Sequence, residues 1–208
     1  MGGEKVKSIY LYTRFERFWH WAQALLIGGL LWTGFAVHGD LPWPDFHTAV
    51  IWHNRLGITW LILFAFILFW EATTGEWRHY VPTTRKLFAV GRYYLVGIFR
   101  GEPHPVAKTA EAKHNPLQRL TYLGVAVAIV PVQVVTGLLY WTYNDWHLLG
   151  FSMNLGVLAF LHVAGAFLFL MFLVIHVYMI TTGHTPFAHL KAMVTGWEEV
   201  HGPDKPPH

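Results

Sequence analysis

Four long stretches that hold no Asp, Glu or Lys constrain this chain most. They cover residues 18–39, 46–70, 120–144 and 146–190, and Arg55 is the one charge inside them. A bilayer core takes about 20 apolar residues per helix, so each stretch is long enough to cross it. The fourth also leaves room for a short outer turn and an exit. Composition agrees: Asp, Glu, Lys and Arg make up 13% of the chain, against about 25% in soluble domains. Much of the surface should therefore face lipid. The expected fold class is an all-α membrane protein, a four-transmembrane-helix bundle with helices at about 17–38, 47–71, 119–143 and 153–181. Residues 1–200 are expected to form a single domain, and residues 201–208 (HGPDKPPH) a disordered tail.

The first stretch is too long for a signal peptide, whose apolar region spans about 7–15 residues before a small-residue cleavage site. It ends instead in Val37-His38-Gly39-Asp40-Leu41-Pro42, so it is read as a retained helix. Basic residues set the orientation. Lys5, Lys7, Arg14 and Arg17 precede the first helix, eight Lys and Arg from Arg78 to Arg119 lie between the second and third, and Lys191 and Lys205 follow the fourth. The two other connections carry none. By the positive-inside rule both termini and the middle loop are cytoplasmic. Within that loop, residues 84–99 alternate basic and apolar side chains, which predicts a helix lying on the inner membrane surface. Residues 101–113 are polar and read as loop.

No cysteine is present. That excludes thiolate-held iron–sulfur clusters, c-type haem attachment, Cys-based zinc sites and disulfides. The 14 histidines are then the abundant strong metal ligands. Four fall well inside the spans: His20, His53, His162 and His176. An ionisable side chain in hydrocarbon marks a functional site by default, the plain alternative being a hydrogen bond between helices. His162 and His176 share the fourth helix, 14 residues apart. At about 100° per residue they return to within roughly 40° of one face, with a rise of about 21 Å. One helix thus offers two imidazoles at two depths, which suits two stacked cofactors better than one mononuclear metal. Matching depths pairs His20 with His176 toward the inner side and His53 with His162 toward the outer side. The predicted cofactors are two haem b groups, each held by two histidines. Zinc lacks a carboxylate or third histidine at short helical spacing.

Glycines 28, 29, 34, 57, 124, 137, 156 and 165 lie in the four spans and would let a flat porphyrin approach the backbones, or let helices pack closely. Leu31-Trp32-Thr33-Gly34 and Val134-Val135-Thr136-Gly137 echo one another faintly. Arg17, three residues before His20, and Arg55, two after His53, are candidate partners for haem propionates, which guanidinium groups pair with bidentately. Arg17 equally suits a positive-inside anchor.

The residues Arg17-Phe18-Trp19-His20-Trp21, Thr33-Gly34, His53-Asn54-Arg55, His114-Asn115-Pro116-Leu117-Gln118-Arg119, Thr136-Gly137, His162 and His176 form a pattern over nearly the whole chain. It resembles the cytochrome b subunits of membrane-bound nickel–iron hydrogenases, formate dehydrogenase-N and thiosulfate reductase, within the bacterial cytochrome b561-like group. The one-one-two distribution of ligands differs from the bc complexes, which place two on each of two helices. The resemblance implies an electron conduit in the bacterial inner membrane, a subunit of a respiratory oxidoreductase rather than a complete enzyme. It implies an outer-face iron–sulfur or multihaem redox partner, and menaquinone or ubiquinone as substrate near the inner haem. Carried onto this chain, the quinone site falls at Asn115, with Gln118 and His114 as neighbours, and at His176. Asn115 also reads as the N-cap of the third helix, with Pro116 in its first turn. Rival readings are a cofactor-free membrane anchor, a small transporter (Pro131 and Gln133 being its only hint) and a stand-alone quinol-dependent reductase. Nucleic acid is not expected as a partner.

Overall fold

The structure, a computed structural model, describes residues 6–106, 113–183 and 185–201. It is helical almost throughout. Strand β1 is Val6–Tyr10; the helices are α1 (Arg14–His38), α2 (Phe46–Thr74), α3 (Leu87–Arg92), α4 (Pro116–Gly124), α5 (Val130–Trp141), α6 (Leu155–Ile180) and α7 (Ala188–Thr195); strand β2 is Trp197–His201. Four helices are long and apolar enough to cross a membrane: α1, α2, the continuous run Pro116–Trp141 and α6. The all-α membrane bundle is therefore borne out.

Their ends have local causes. Asp45 caps α2 by accepting the Thr48 N–H at 3.2 Å, and hydrogen bonds from the Thr48 side chain and N–H hold its carboxyl below the usual range. Gly75 closes α2 in the left-handed conformation, φ 79°. The third span joins α4 to α5 through a π turn at Val125–Ile129. Pro131 explains it: a proline inside a helix lacks the N–H and crowds the preceding turn, and a widened turn relieves the clash.

Contacts divide the chain into two compact units. One holds residues 18–75 and 124–174, and so contains most of all four spans. Trp60, Val130 and Phe169 are buried at its core, packed by Leu26, Ile27, Leu30, Phe64 and neighbours, so every span contributes. Trp60 and Phe64 stack with ring centres 5.1 Å apart. Gly29 leaves room for Leu56 of α2, since a Cβ there would come within 3.0 Å of it. Outward residues such as Leu25, Ile62 and Phe160 are exposed, as lipid-facing positions require.

The other unit holds the residues up to Arg17, 76–123 and from 175 onward. Here β1 pairs antiparallel with β2, Tyr10 opposite Trp197. Neither strand, nor α7, was foreseen. His201, expected in the tail, is the last residue of β2; residues 202–208 and the loop residues 107–112 lie outside those described. Thr13 and Glu16 form a reciprocal capping box at the start of α1, Thr13 N–H to Glu16 Oε2 at 2.7 Å and Glu16 N–H to Thr13 Oγ1 at 3.2 Å. Glu16 also binds Lys113 Nζ at 2.7 Å, and Glu76 binds it at 3.2 Å. Burial would pull the Lys113 pKa down, but these two carboxylates outweigh it and hold the ammonium above its usual value. The segment expected to be helical forms α3 followed by a π turn and a 3-10 turn to Arg100. Phe88, Leu95 and Phe99 are exposed there, Phe88 to 90%, while Val90 is fully buried. Arg92 grips Glu102 through both terminal nitrogens, at 2.8 and 2.9 Å.

Candidate functional site

The bundle unit brings His53 of α2 and His162 of α6 together. Their ring centres lie 6.2 Å apart and the planes cross at 77°. Each ring is held through Nδ1 by a threonine from a neighbouring helix. Thr33 Oγ1 of α1 lies 3.0 Å from His53 Nδ1, and Thr136 Oγ1 of α5 lies 2.8 Å from His162 Nδ1. The glycine after each threonine faces the same ring: a Cβ at Gly34 would sit 3.3 Å from His53 Cε1, and one at Gly137 would sit 3.4 Å from His162 Cε1. Tyr140 adds an edge contact to His162 at 5.9 Å.

These residues fit a haem. Two metal–imidazole bonds of about 2 Å each, plus the depth of each ring, separate the centres of trans imidazoles by roughly 6 Å, and the observed spacing is 6.2 Å. Both Nδ1 atoms are occupied by threonine, which leaves Nε2 for a metal, and second partners of this kind commonly orient ligating histidines.

The other two histidines fall in different units, His20 in the bundle and His176 in the second unit, and each is placed by its own helix. His20 lies edge-on to Trp21, ring centres 5.3 Å apart. His176 sits on α6, which is unbroken from Leu155 to Ile180 and also carries His162. His162 and His176 therefore lie on one continuous helix.

The two arginines are engaged elsewhere. Arg17 donates to the backbone carbonyls of Thr13 and Val194. Arg55 is exposed, 5.7 Å from the Trp52 ring centre. Two residues turn a helix by about 200°, so Arg55 points away from His53. The propionate roles expected of both draw no support from these positions.

At the start of the third span, Asn115 and Gln118 cap one another: Asn115 N–H donates to Gln118 Oε1 and Gln118 N–H to Asn115 Oδ1, both at 2.9 Å. Asn115 is buried and its Nδ2 donates to Tyr94 Oη at 3.1 Å. Burial pushes the Tyr94 phenol up to about 12, so it stays neutral. His114 lies between Tyr80 and Tyr122, each at 5.1 Å. Tyr94 is thus tied to the cap of the third span through Asn115.

A four-helix membrane bundle that brings two imidazoles to 6.2 Å across its interior defines a haem-carrying membrane protein. Residues 11–196 match the family described as prokaryotic cytochrome b561. The chain is also 34% identical, over 94% of its own length and 75% of the relative's, to the Escherichia coli (strain K12) protein named "Putative cytochrome YdhU". This chain belongs to the prokaryotic cytochrome b561 family. It is accordingly a multi-pass membrane protein that binds haem b and transfers electrons across the membrane.

Proposed function

We propose that the chain is the membrane subunit of a respiratory oxidoreductase in the bacterial inner membrane. It carries electrons between an outer-face iron–sulfur or multihaem partner and menaquinone or ubiquinone, with both termini in the cytoplasm. Two haem b groups are held by His53 with His162 and by His20 with His176, within one functional domain of residues 1–200. When bound, each haem supplies a one-electron centre, and the protein supplies ligands, orientation and a low-dielectric shell.

The observation that carries this reading is the His53–His162 pair, with ring centres 6.2 Å apart and each Nδ1 held by a threonine. The depth argument extends it to His20 and His176. Quinone chemistry moves protons with electrons, so its site needs hydrogen-bonding groups at an aqueous edge. Asn115, Gln118, His114 and His176 are our candidates. The capping bonds that Asn115 makes leave its role as N-cap and its role toward quinone compatible.

The test is the haem-to-protein ratio of the purified protein. Wild type should bind two haems. His162→Ala should remove one and His176→Ala the other. Retention of both haems by either variant refutes the ligand assignment.

A further inference from the structure

The His53–His162 pair carries more than a spacing. Thr33 Oγ1 has its nearest carbonyl, Gly29 O, at 2.7 Å, a second, Leu30 O, at 3.3 Å, and His53 Nδ1 at 3.0 Å. A hydroxyl has one proton to give. The Gly29 carbonyl can only accept, and it is the nearest, so the proton goes there. The oxygen lone pair then faces Nδ1, and the contact is a hydrogen bond because Nδ1 carries the ring proton. Thr136 repeats the arrangement, with Val132 O at 2.5 Å and His162 Nδ1 at 2.8 Å. In a neutral imidazole, a protonated Nδ1 leaves the lone pair on Nε2.

We propose that Thr33 and Thr136 are positioning residues that fix the Nδ1–H tautomer of His53 and His162, present Nε2 to the iron, and set the potential of the haem between them. This rests on the reading that these two histidines would hold that haem.

The device occurs twice in the same form. In each helical hairpin, α1–α2 and α5–α6, the first helix supplies a Thr-Gly pair and the second supplies the histidine. Threonines inside helices often bond back to the preceding turn. That habit explains where each hydroxyl proton points, but not why both oxygens meet a histidine. The glycines complete the seat. Cε1 is the ring carbon between the two nitrogens, and at 3.3 and 3.4 Å a methyl group would press on it. Threonine therefore holds the ring by one nitrogen, while glycine leaves room for the edge that leads to the other.

A ligating histidine that donates its other N–H to an acceptor is a more basic ligand. A more basic ligand favours ferric over ferrous iron. Removing the acceptor should therefore raise the midpoint potential of this haem and leave the other unchanged.

The experiment uses the full-length, haem-loaded protein in detergent or membranes. Thr33→Val and Thr136→Val keep the shape and remove the hydroxyl; Thr33→Ser and Thr136→Ser restore it. Haem content, redox titration of the reduced-minus-oxidised spectrum and the ferric electron paramagnetic resonance signal are read together. For each valine variant we expect one of two midpoints to rise by about the 59 mV that a tenfold loss of ferric preference represents for one electron, and serine to return it. Loss of one haem in the valine variant that serine restores also supports the proposal. Unchanged midpoints and ferric signal in both valine variants overturn it, as does haem loss that serine fails to repair. The underlying ligand assignment fails separately: His53→Ala and His162→Ala would then each keep two haems. If those variants lose one haem each while the threonine variants change nothing, only the threonine role falls.

Discussion

Replacing Lys113 by methionine tests the tie between the start of α1 and the start of the third span. Lys113 Nζ reaches Glu16 Oε1 at 2.7 Å and Glu76 Oε2 at 3.2 Å. The Lys113 and Glu16 side chains are each only 10% exposed. Methionine keeps most of the apolar stem and removes the charge, so the Glu16 carboxylate stays buried without its cation. Breaking a buried pair from one side costs about 3–5 kcal/mol. Two features draw the value to the low end. Glu16 keeps the Thr13 N–H on Oε2, and Glu76 is 31% exposed and can turn to water. The expected loss is about 3 kcal/mol, which lowers a thermal midpoint by roughly 6–12 °C in a chain of this size. Thermal unfolding in detergent, followed by circular dichroism, reads it. Glu16→Gln keeps the capping acceptor without the charge, so Lys113→Met with Glu16→Gln should recover much of the loss. The pH dependence follows from the raised Lys113 pKa. Such a group gives its full stabilisation below the unfolded value near 10.5 and loses it as pH rises through the folded one. Wild type should therefore weaken above pH 10.5 by an increment that the methionine variant lacks. A loss under about 1 kcal/mol, the range of a solvated surface pair, would refute the reasoning.

Tyr94→Phe deletes the acceptor of the Asn115 Nδ2 bond and should cost about 1–2 kcal/mol. If Asn115 serves quinone, haem reduction by a quinol analogue should slow while haem content is unchanged, and an equal rate would remove Tyr94 from the site. Gly196→Ala should destabilise by more than about 1 kcal/mol, because φ is +89° and the new Cβ would meet Tyr12 O at 2.7 Å and Tyr10 Cε2 at 2.6 Å. Faster proteolysis at the chain ends would report it, and wild-type resistance would contradict it.

The spans were legible because membrane insertion is decided locally: a charge-free run of sufficient length reads the same wherever its neighbours lie. The β1–β2 pair was not, because its partners are nearly the whole chain apart and each strand has only five residues. Helix α7 was hidden by the fourth apolar stretch, which runs on past the end of α6. Lys113 read as one more cytoplasmic surface charge, since its partner Glu16 lies 97 residues earlier in the chain. At the site, the histidines stood out because hydrocarbon makes them costly. Thr33 and Thr136 showed only as a faint Thr-Gly echo, and a hydroxyl in a helix carries no such signal. The side of α2 that carries Arg55 is not readable from a lone charge in an apolar run, and helical rotation puts it on the outside.

Helix α6 acts as a ruler. His162 and His176 hang from one unbroken rod, so the vertical interval between them is metered by covalent bonds and not by how loosely helices slide past one another. Adding or deleting one residue between them would swing one imidazole about 100° around the axis relative to the other. That short length of chain should consequently accept changes of side chain far more readily than changes of count.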